Sequence, residues 1–164
     1  MSLLKKIVEM GKPVVLLNFA GRPTILSWEQ EHVNAIMNVW FGGSETGDAI
    51  CDVLFGDKAP CGRLVTTMPR SMGQIPIYYN HLNTGRPVAE NATKYYKFRS
   101  NYIDIHNTPL YPFGYGLTYT SFSYSDITMN DNTANITITN IGKREGTEVV
   151  QLYIQDPDAY VARP

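Results

Sequence analysis

Apolar and polar residues along the first part of the chain follow the pattern of a layered α/β protein. Val14 to Phe19 is a nearly continuous apolar run, typical of a parallel strand that is buried on both faces. Ser27 and Gln30 then have the spacing of a helix capping box. Apolar residues recur after them at helical intervals: Val33, Ile36, Met37 and Trp40. The pattern therefore predicts a strand followed by a helix that runs to about Trp40.

A second helix is predicted beyond the glycine pair Gly42–Gly43, which interrupts the first. Ser44 is placed to cap its N-terminus, and Gly56 is placed to end it. Its apolar face consists of four residues: Ala49, Ile50, Val53 and Leu54. Leu64 to Met68 is a short strand candidate. The order strand, helix, helix, strand predicts part of an α/β layered domain, with a mostly parallel sheet and flanking helices.

The next segment, from Ser71 to Asn107, has no strong periodicity and is dense in Asn, Gly, Pro and Tyr. A long irregular stretch of this kind is usually a functional loop or a surface wrap. Asn107 to Phe122 then combines five aromatic residues with Gly114 and Gly116, where the backbone can turn without a Cβ atom. This run predicts a rigid connector between two packed units.

A period of two replaces this pattern in the last part of the chain. Isoleucine and threonine alternate in Asn135 to Asn140, and Glu148 to Gln155 alternates in the same way, with three residues predicted to face inward: Val150, Leu152 and Ile154. A turn at Gly142 joins the two as a predicted hairpin. A β module therefore begins near Ser121. Because a complete β-sandwich needs about 100 residues, we expect only its first strands here.

Composition narrows the possible functions without identifying one. The chain has 164 residues, 43% of them apolar, and a net charge of −1, which gives no reason to expect nucleic acid or an anionic membrane as a partner. No apolar run reaches the about 18 residues of a membrane span. Cys51 and Cys61 have no histidine pair nearby, which favours two reduced thiols over a disulfide or a metal site. We predict no cofactor and no metal.

Three arrangements that resemble functional motifs have simpler explanations. Gly42 to Ser44 precedes a helix and can bind an anion, yet it lacks the other residues of a nucleotide-binding loop, so a plain turn is favoured. Asp48 and Asp52 lie four residues apart and are interpreted as a solvated face near a helix N-terminus. Glu45 has no partner carboxylate that a motif identifies. The sequence therefore assigns no catalytic residue.

Polar and aromatic residues concentrate between Gln74 and Asp104. Aromatic rings, together with planar donors and acceptors such as those of Arg and Asp, are the groups that bind sugars. An irregular loop whose aromatic side chains pack on a neighbouring surface explains the same residue types equally well. Both interpretations remain open on residue types alone.

Most of the chain resembles the C-terminal part of bacterial glycoside hydrolase family 3 β-glucosidases. The resemblance is carried in order by four segments: GKPVVLLNFAGRP (Gly11 to Pro23), WFGGSETGDAICDVLFGDKAPCGRL (Trp40 to Leu64), MPRSMGQIPIYYNHLNTGRP (Met68 to Pro87) and NTPLYPFGYGLTYTSF (Asn107 to Phe122). Thr139 to Pro164 resembles the opening of a fibronectin type III-like domain. The resemblance implies the last part of an α/β sandwich domain over residues 1–106, the connector over 107–120 and a truncated fibronectin type III-like domain over 121–164.

The resemblance also implies a parent enzyme that hydrolyses terminal β-linked glucose with retention, using two carboxyl groups about 5 Å apart. In the family, the nucleophilic Asp lies in an N-terminal barrel domain, and the acid/base Glu lies upstream of the segment that matches Gly11. Neither has a counterpart here, and Glu9 is not assigned the role. The fragment is therefore expected to be inactive, with the missing barrel and β-linked glucosides or oligosaccharides as partners of a periplasmic or extracellular parent.

Within this resemblance, the loop from Gln74 to Asp104 is expected to border the sugar pocket. Arg99, Tyr102 and Asp104 are the predicted substrate-binding residues, with Asp104 orienting Arg99 through a charge-assisted hydrogen bond. Uncovered sheet edges further predict that the fragment forms a homo-oligomer. The alternative function is a non-catalytic carbohydrate-binding or cell-surface interaction module, for which the aromatic loop and the β fragment would suffice.

Overall fold

The computed structural model describes residues 2–89, 92, 94–156 and 158. These residues form two compact units, each assembled from separate stretches of the chain. The first unit comprises Met1–Gly42, Leu64–Phe113 and Gln155–Pro164, and the second comprises Gly43–Arg63 and Gly114–Ile154. Helices and small sheets occur together, so the chain is a mixed α and β protein.

The first unit is built on a two-stranded parallel sheet. Helix α1 (Ser2–Glu9) precedes strand β1 (Val15–Asn18), and helix α2 (Ser27–His32) precedes strand β2 (Ala35–Asn38). The two strands pair in register from Val15 opposite Ala35 to Asn18 opposite Asn38. The apolar run after Lys12 therefore forms a parallel strand, as the sequence predicts. The predicted burial on both faces is wrong, because no residue of β1 is fully buried and Val15 is 50% exposed.

The helix predicted to run from Ser27 to Trp40 is wrong beyond its first turns. The backbone becomes extended at Val33, with φ −105° and ψ 156°. Asn34 then turns the chain onto the first strand, because its Oδ1 accepts a hydrogen bond from the Val14 backbone at 2.7 Å and its own N–H donates to the Val14 carbonyl at 2.9 Å. These bonds to a distant segment favour a strand over local helical periodicity.

The capping box and the strand predicted at Leu64 to Met68 are also wrong. The residue that precedes α2 is Leu26, and the Ser27 hydroxyl instead donates to the Arg70 carbonyl at 2.7 Å. Only Met68 of the predicted strand forms a ladder contact, an antiparallel bridge to Tyr111. A single bridge does not make a strand. Met68, 1% exposed, and Leu26, 5% exposed, are nonetheless the two buried apolar residues of the described part of the chain.

In the second unit, helix α3 (Thr46–Phe55) has the C-terminus that the sequence predicts. Gly56 adopts a left-handed conformation, with φ 86°, and its N–H donates to the Val53 carbonyl. The predicted cap at Ser44 is wrong, because Glu45 is the capping residue and makes no side-chain cap bond. The Thr46 hydroxyl supplies a local bond instead, donating to the Gly43 carbonyl at 2.5 Å.

Four short strands complete the second unit. Strand β3 (Phe122–Tyr124) pairs antiparallel with β6 (Ile138–Asn140), and β4 (Thr128–Asn130) pairs antiparallel with β5 (Thr133–Asn135). The predicted hairpin is therefore wrong, since β6 takes β3 as its partner. Among the described residues, Glu148 to Gln155 belongs to no strand, and the three side chains predicted to face inward are exposed: Val150 by 50%, Leu152 by 64% and Ile154 by 88%.

Side chains hold this last segment in place of a strand ladder. Glu148 accepts hydrogen bonds from the Tyr124 hydroxyl at 2.5 Å and from the Arg63 guanidinium at 2.7 Å. These two bonds lower the pKa of Glu148, and the bond to Glu148 raises the pKa of Tyr124. Gln151 adds a hydrogen bond from Nε2 to the Gly114 carbonyl at 3.0 Å. Both cysteines are free thiols, as predicted.

Candidate functional site

A buried glutamine fixes the base of the irregular loop. Gln74, at the end of the 3-10 turn Met72–Gln74, has no solvent exposure. Its Oε1 accepts a hydrogen bond from the Arg70 backbone at 2.6 Å, and its Nε2 donates to the carbonyls of His106 at 2.8 Å and Thr108 at 3.3 Å. Because both ends of the amide are used, this side chain ties the start of the loop to its end.

Two asparagines shape the loop where it has no helix or strand. Asn101 accepts from the Tyr96 backbone at 2.8 Å and donates to the Tyr96 and Arg99 carbonyls, each at 2.9 Å. Asn107 accepts from the Tyr102 backbone at 2.9 Å. Such side-chain bonds to the local backbone take the place of regular secondary structure. The loop therefore has a defined course despite its lack of periodicity.

A cavity of about 170 Å³ lies within this loop. This volume suits one small ligand or one ring of a larger one. Tyr95 and four apolar residues line part of the cavity. Six polar residues complete the lining: Lys94, Asn101, Tyr102, Asp104, His106 and Asn107.

The structure brings together two of the three predicted substrate-binding residues. Tyr102 and Asp104 line the cavity, whereas Arg99 does not. The predicted hydrogen bond between Asp104 and Arg99 is wrong, because Nη1 of Arg99 donates to the Pro87 carbonyl at 3.4 Å and no bond or ion pair joins the two residues within the described part of the chain. The side chain of Asn101 holds the backbone of Arg99 through its carbonyl, and Arg99 is directed to Pro87.

Sequence reasoning missed Lys94 and His106 as cavity residues. Lys94 lies ten positions before Asp104, and its Nζ is 5.7 Å from the ring centroid of Tyr96. No periodic spacing connects these positions, since the loop is closed by Asn101 and by the Gln74 bonds. The only sequence signal was the general density of polar and aromatic residues, which did not single out either residue.

The cavity combines the groups that recognise hydroxylated rings. Tyr95 is 50% exposed and Tyr102 is 37% exposed, so each presents ring surface to solvent. The Tyr102 hydroxyl donates to the Gln74 carbonyl at 3.4 Å, which orients its ring. A carboxylate at Asp104 can accept hydrogen bonds from two hydroxyl groups at once. The arrangement can bind a polyol, and it contains no nucleophile beside a base.

Three carboxylates that the sequence analysis considered lie in a helix or directly before one. Glu9 is the last residue of α1, Glu45 precedes α3, and Asp48 lies in the first turn of α3. Among the residues that the structure describes, no group of three His, Cys, Asp or Glu side chains is placed to hold a metal ion. No described helix is long and apolar enough to cross a membrane.

The chain belongs to glycosyl hydrolase family 3. Residues 1–119 match the profile of the Glycosyl hydrolase family 3 C-terminal domain. This match covers both strands of the parallel sheet, helix α3, the cavity and most of the aromatic connector. The family predicted from the four sequence segments is thereby confirmed.

Its relatives are glycosidases. The chain is 49% identical to the periplasmic β-glucosidase of Salmonella typhimurium over 99% of its own length, and 36% identical to a β-xylosidase of Formosa agariphila. The crystal structure of a β-glucosidase from Listeria innocua in complex with glucose superposes with a TM-score of 0.88 at 41% identity. That alignment covers 99% of this chain and 24% of the Listeria protein.

The chain thus spans about a fifth of the proteins that it resembles. It covers 22% of the Salmonella β-glucosidase and 22% of the Formosa β-xylosidase.

Proposed function

We propose that the protein that carries this chain is a retaining β-glucosidase, which hydrolyses terminal non-reducing β-D-glucosyl residues. The alignment of 99% of the chain with a periplasmic β-glucosidase at 49% identity is the observation that supports this activity most directly. The same relative supports a periplasmic or extracellular location. Retaining hydrolysis needs two positioned carboxyl groups, and the matched segments supply neither, so the chain alone is inactive.

In this proposal, the chain contributes the wall of a substrate pocket. Asp104 and Tyr102 contact a sugar ring of the substrate in the loop cavity, and Arg99 contacts substrate or the barrel rim outside it. The cavity volume, the exposed tyrosine rings and the carboxylate support this role. A catalytic barrel domain elsewhere in the protein performs the bond cleavage.

The finer architecture is part of the same proposal. Residues 1–106 form the last part of an α/β sandwich domain, residues 107–120 connect it, and residues 121–164 begin a fibronectin type III-like domain. The parallel β1–β2 pair and the antiparallel strands after Ser121 support this division. The open edges of these small sheets support self-association of the isolated chain.

The test compares the isolated chain with the whole protein on aryl β-glucoside and aryl β-xyloside. We expect hydrolysis by the whole protein, faster on the glucoside, and no turnover by the chain. The Formosa relative makes the xyloside the informative second substrate. Turnover of neither glycoside by the whole protein would refute the proposed function, as would turnover by the chain that is lost on mutation of one of its own carboxylates.

The cavity is tested in the whole protein with Asp104→Asn. Loss of a charged hydrogen-bond acceptor should raise KM for a disaccharide about tenfold, since about 1.4 kcal/mol corresponds to a factor of ten. Asp131→Asn is the matched control, because Asp131 is exposed in the second unit and has a left-handed backbone that Asn tolerates. Equal KM values for both variants and the unaltered protein would show that the loop is only a surface wrap.

A further inference from the structure

The carboxyl edge of the parallel sheet carries an asparagine pair. Because β1 and β2 run in the same direction and end in register, Asn18 and Asn38 lie side by side at this edge. In open α/β sheets, ligands bind in the crevice beyond the carboxyl ends of the strands. The edge belongs to the first unit and is separate from the loop cavity lining.

The two amides are joined in a way that leaves one polar atom without a partner. Nδ2 of Asn18 donates to Oδ1 of Asn38 at 2.7 Å and to the Thr24 hydroxyl at 2.9 Å, which uses both of its N–H groups. Nδ2 of Asn38 is buried and has no hydrogen-bond partner among the described residues. Exchanging O and N in both amides would preserve their mutual bond and still leave one atom of Asn38 unpaired. An unpaired buried amide atom is costly unless something else satisfies it.

The backbone just beyond β2 is strained. Trp40 has a φ of 57°, in the left-handed region that bulky residues rarely adopt. Such strain persists where the surrounding structure imposes it, and it clusters at ligand sites. The strained residue lies two positions after Asn38 and immediately before an exposed phenylalanine.

That phenylalanine is held at the edge by a glycine contact. Phe41 is 80% exposed, yet a Cβ atom at Gly21 would lie 2.5 Å from its Cε2 atom and 3.1 Å from its Cζ atom. The absence of a Cβ at Gly21 allows this approach of the loop after β1. The ring therefore contacts Gly21 on one side while most of its surface remains available.

We propose that this edge is a second sugar-binding site, which takes one sugar ring against Phe41 with Nδ2 of Asn38 as a hydrogen-bond donor. Phe41 follows Asn38 by three residues, and an aromatic face together with a planar amide is a combination that recognises a ring bearing hydroxyl groups. The choice of a sugar rests on the proposed function. Because Nδ2 is covered in this structure, binding includes a local movement that uncovers it, and the side-chain amide of Asn38 reports that movement.

The test is NMR titration of the isotopically labelled chain with methyl β-D-glucopyranoside and with cellobiose. We expect the side-chain amide resonance of Asn38 to shift in the unaltered chain and in Asp104→Asn, which separates this site from the loop cavity. Phe41→Leu should weaken binding about two- to tenfold, and Asn38→Asp about five- to tenfold. The matched control is Phe55→Leu, because Phe55 is 81% exposed and lies in the second unit.

Kinetics of the whole protein give a second, independent measurement. Phe41→Leu should raise KM for cellobiose with kcat unchanged, whereas Phe55→Leu should change neither. The inference is overturned if addition of sugar does not shift the Asn38 resonance. It is also overturned if Phe41→Leu lowers thermal stability without changing KM, because that result would show that other polypeptide covers this edge. The proposed hydrolysis would stand in that case, and it would fall separately if the whole protein cleaves no β-glycoside while the chain still binds sugar.

Discussion

Replacement of Gln74 should destabilise the first unit more than any exposed substitution. Gln74→Ala removes two short hydrogen bonds, to the Arg70 backbone at 2.6 Å and to the His106 carbonyl at 2.8 Å, and leaves two part-buried backbone groups without these partners. Each bond contributes about 1 kcal/mol net, and the lost side-chain volume adds a cavity cost of about 1–2 kcal/mol. We expect a loss of about 3–4 kcal/mol in the free energy of unfolding.

A second variant separates the two contributions. Gln74→Met fills a similar volume without hydrogen-bonding N or O atoms. It therefore removes the hydrogen bonds but leaves little of the packing void that alanine would create. We expect it to cost about 2 kcal/mol. Gln155→Ala is the control, since Gln155 is exposed and a surface substitution should change stability by less than about 0.5 kcal/mol.

The assay is urea unfolding of the chain together with hydrogen exchange measured by peptide segment. Loss of Gln74 should raise exchange in the segments around Arg70 and around residues 106–108, because this amide holds them together. The loop cavity that Asp104 lines should lose its shape when these segments separate. The reasoning would be refuted if Gln74→Ala costs less than about 1 kcal/mol, or if exchange near His106 stays as slow as in the unaltered chain.

Two further predictions concern the second unit. Since its folded pKa is lowered, Glu148 stabilises the fold above its unfolded pKa of about 4.3, and this contribution is lost as pH falls through the folded pKa. Glu148→Gln should cost about 1 kcal/mol at pH 7 and flatten the acid limb of a stability curve against pH, whereas Glu145→Gln, at an exposed position, should leave that limb unchanged. In helix α3, Gly56→Ala should destabilise by about 1 kcal/mol, because φ is 86° and the new Cβ would lie 3.1 Å from the Arg144 guanidinium. Gly47→Ala should stabilise the same helix by about 0.5–1 kcal/mol, because its Cβ would meet nothing within 4 Å. If both variants shift the melting temperature in the same direction, the roles given to Gly56 as helix end and to Gly47 as helix interior are wrong.

Several features were decided by local chemistry and could be predicted from the sequence. The apolar run after Lys12 forms β1, because a short run of β-branched and other apolar residues favours a strand, although the faces of β1 are only partly covered. Gly56 ends α3, because only glycine adopts its left-handed conformation without strain. The described residues of the loop between Ser71 and Asn107 form no regular strand, as the lack of periodicity indicates. The family was carried by motif segments that need no three-dimensional information.

Other features depended on partners that are distant in the chain. Ala35 to Asn38 is a strand because β1 lies beside it, although its apolar spacing fits a helix equally well. The partner of β6 is β3, with the β4–β5 pair between them in the chain, and no local rule distinguishes that pairing from a hairpin with Glu148 to Gln155. Energies of pairing between remote segments decide such cases, and a local pattern does not contain them.

The candidate sites show the same division. The sequence by itself determined that polar and aromatic residues concentrate between Gln74 and Asp104, because residue types are sufficient for that statement. Only the tertiary structure decided that Asp104 shares a cavity with Lys94 while Arg99 turns to the Pro87 carbonyl. The reason is that Gln74 and the loop asparagines close the backbone through hydrogen bonds between residues that have no periodic spacing. The positions of the side chains therefore follow from the closed loop and not from their order in the chain.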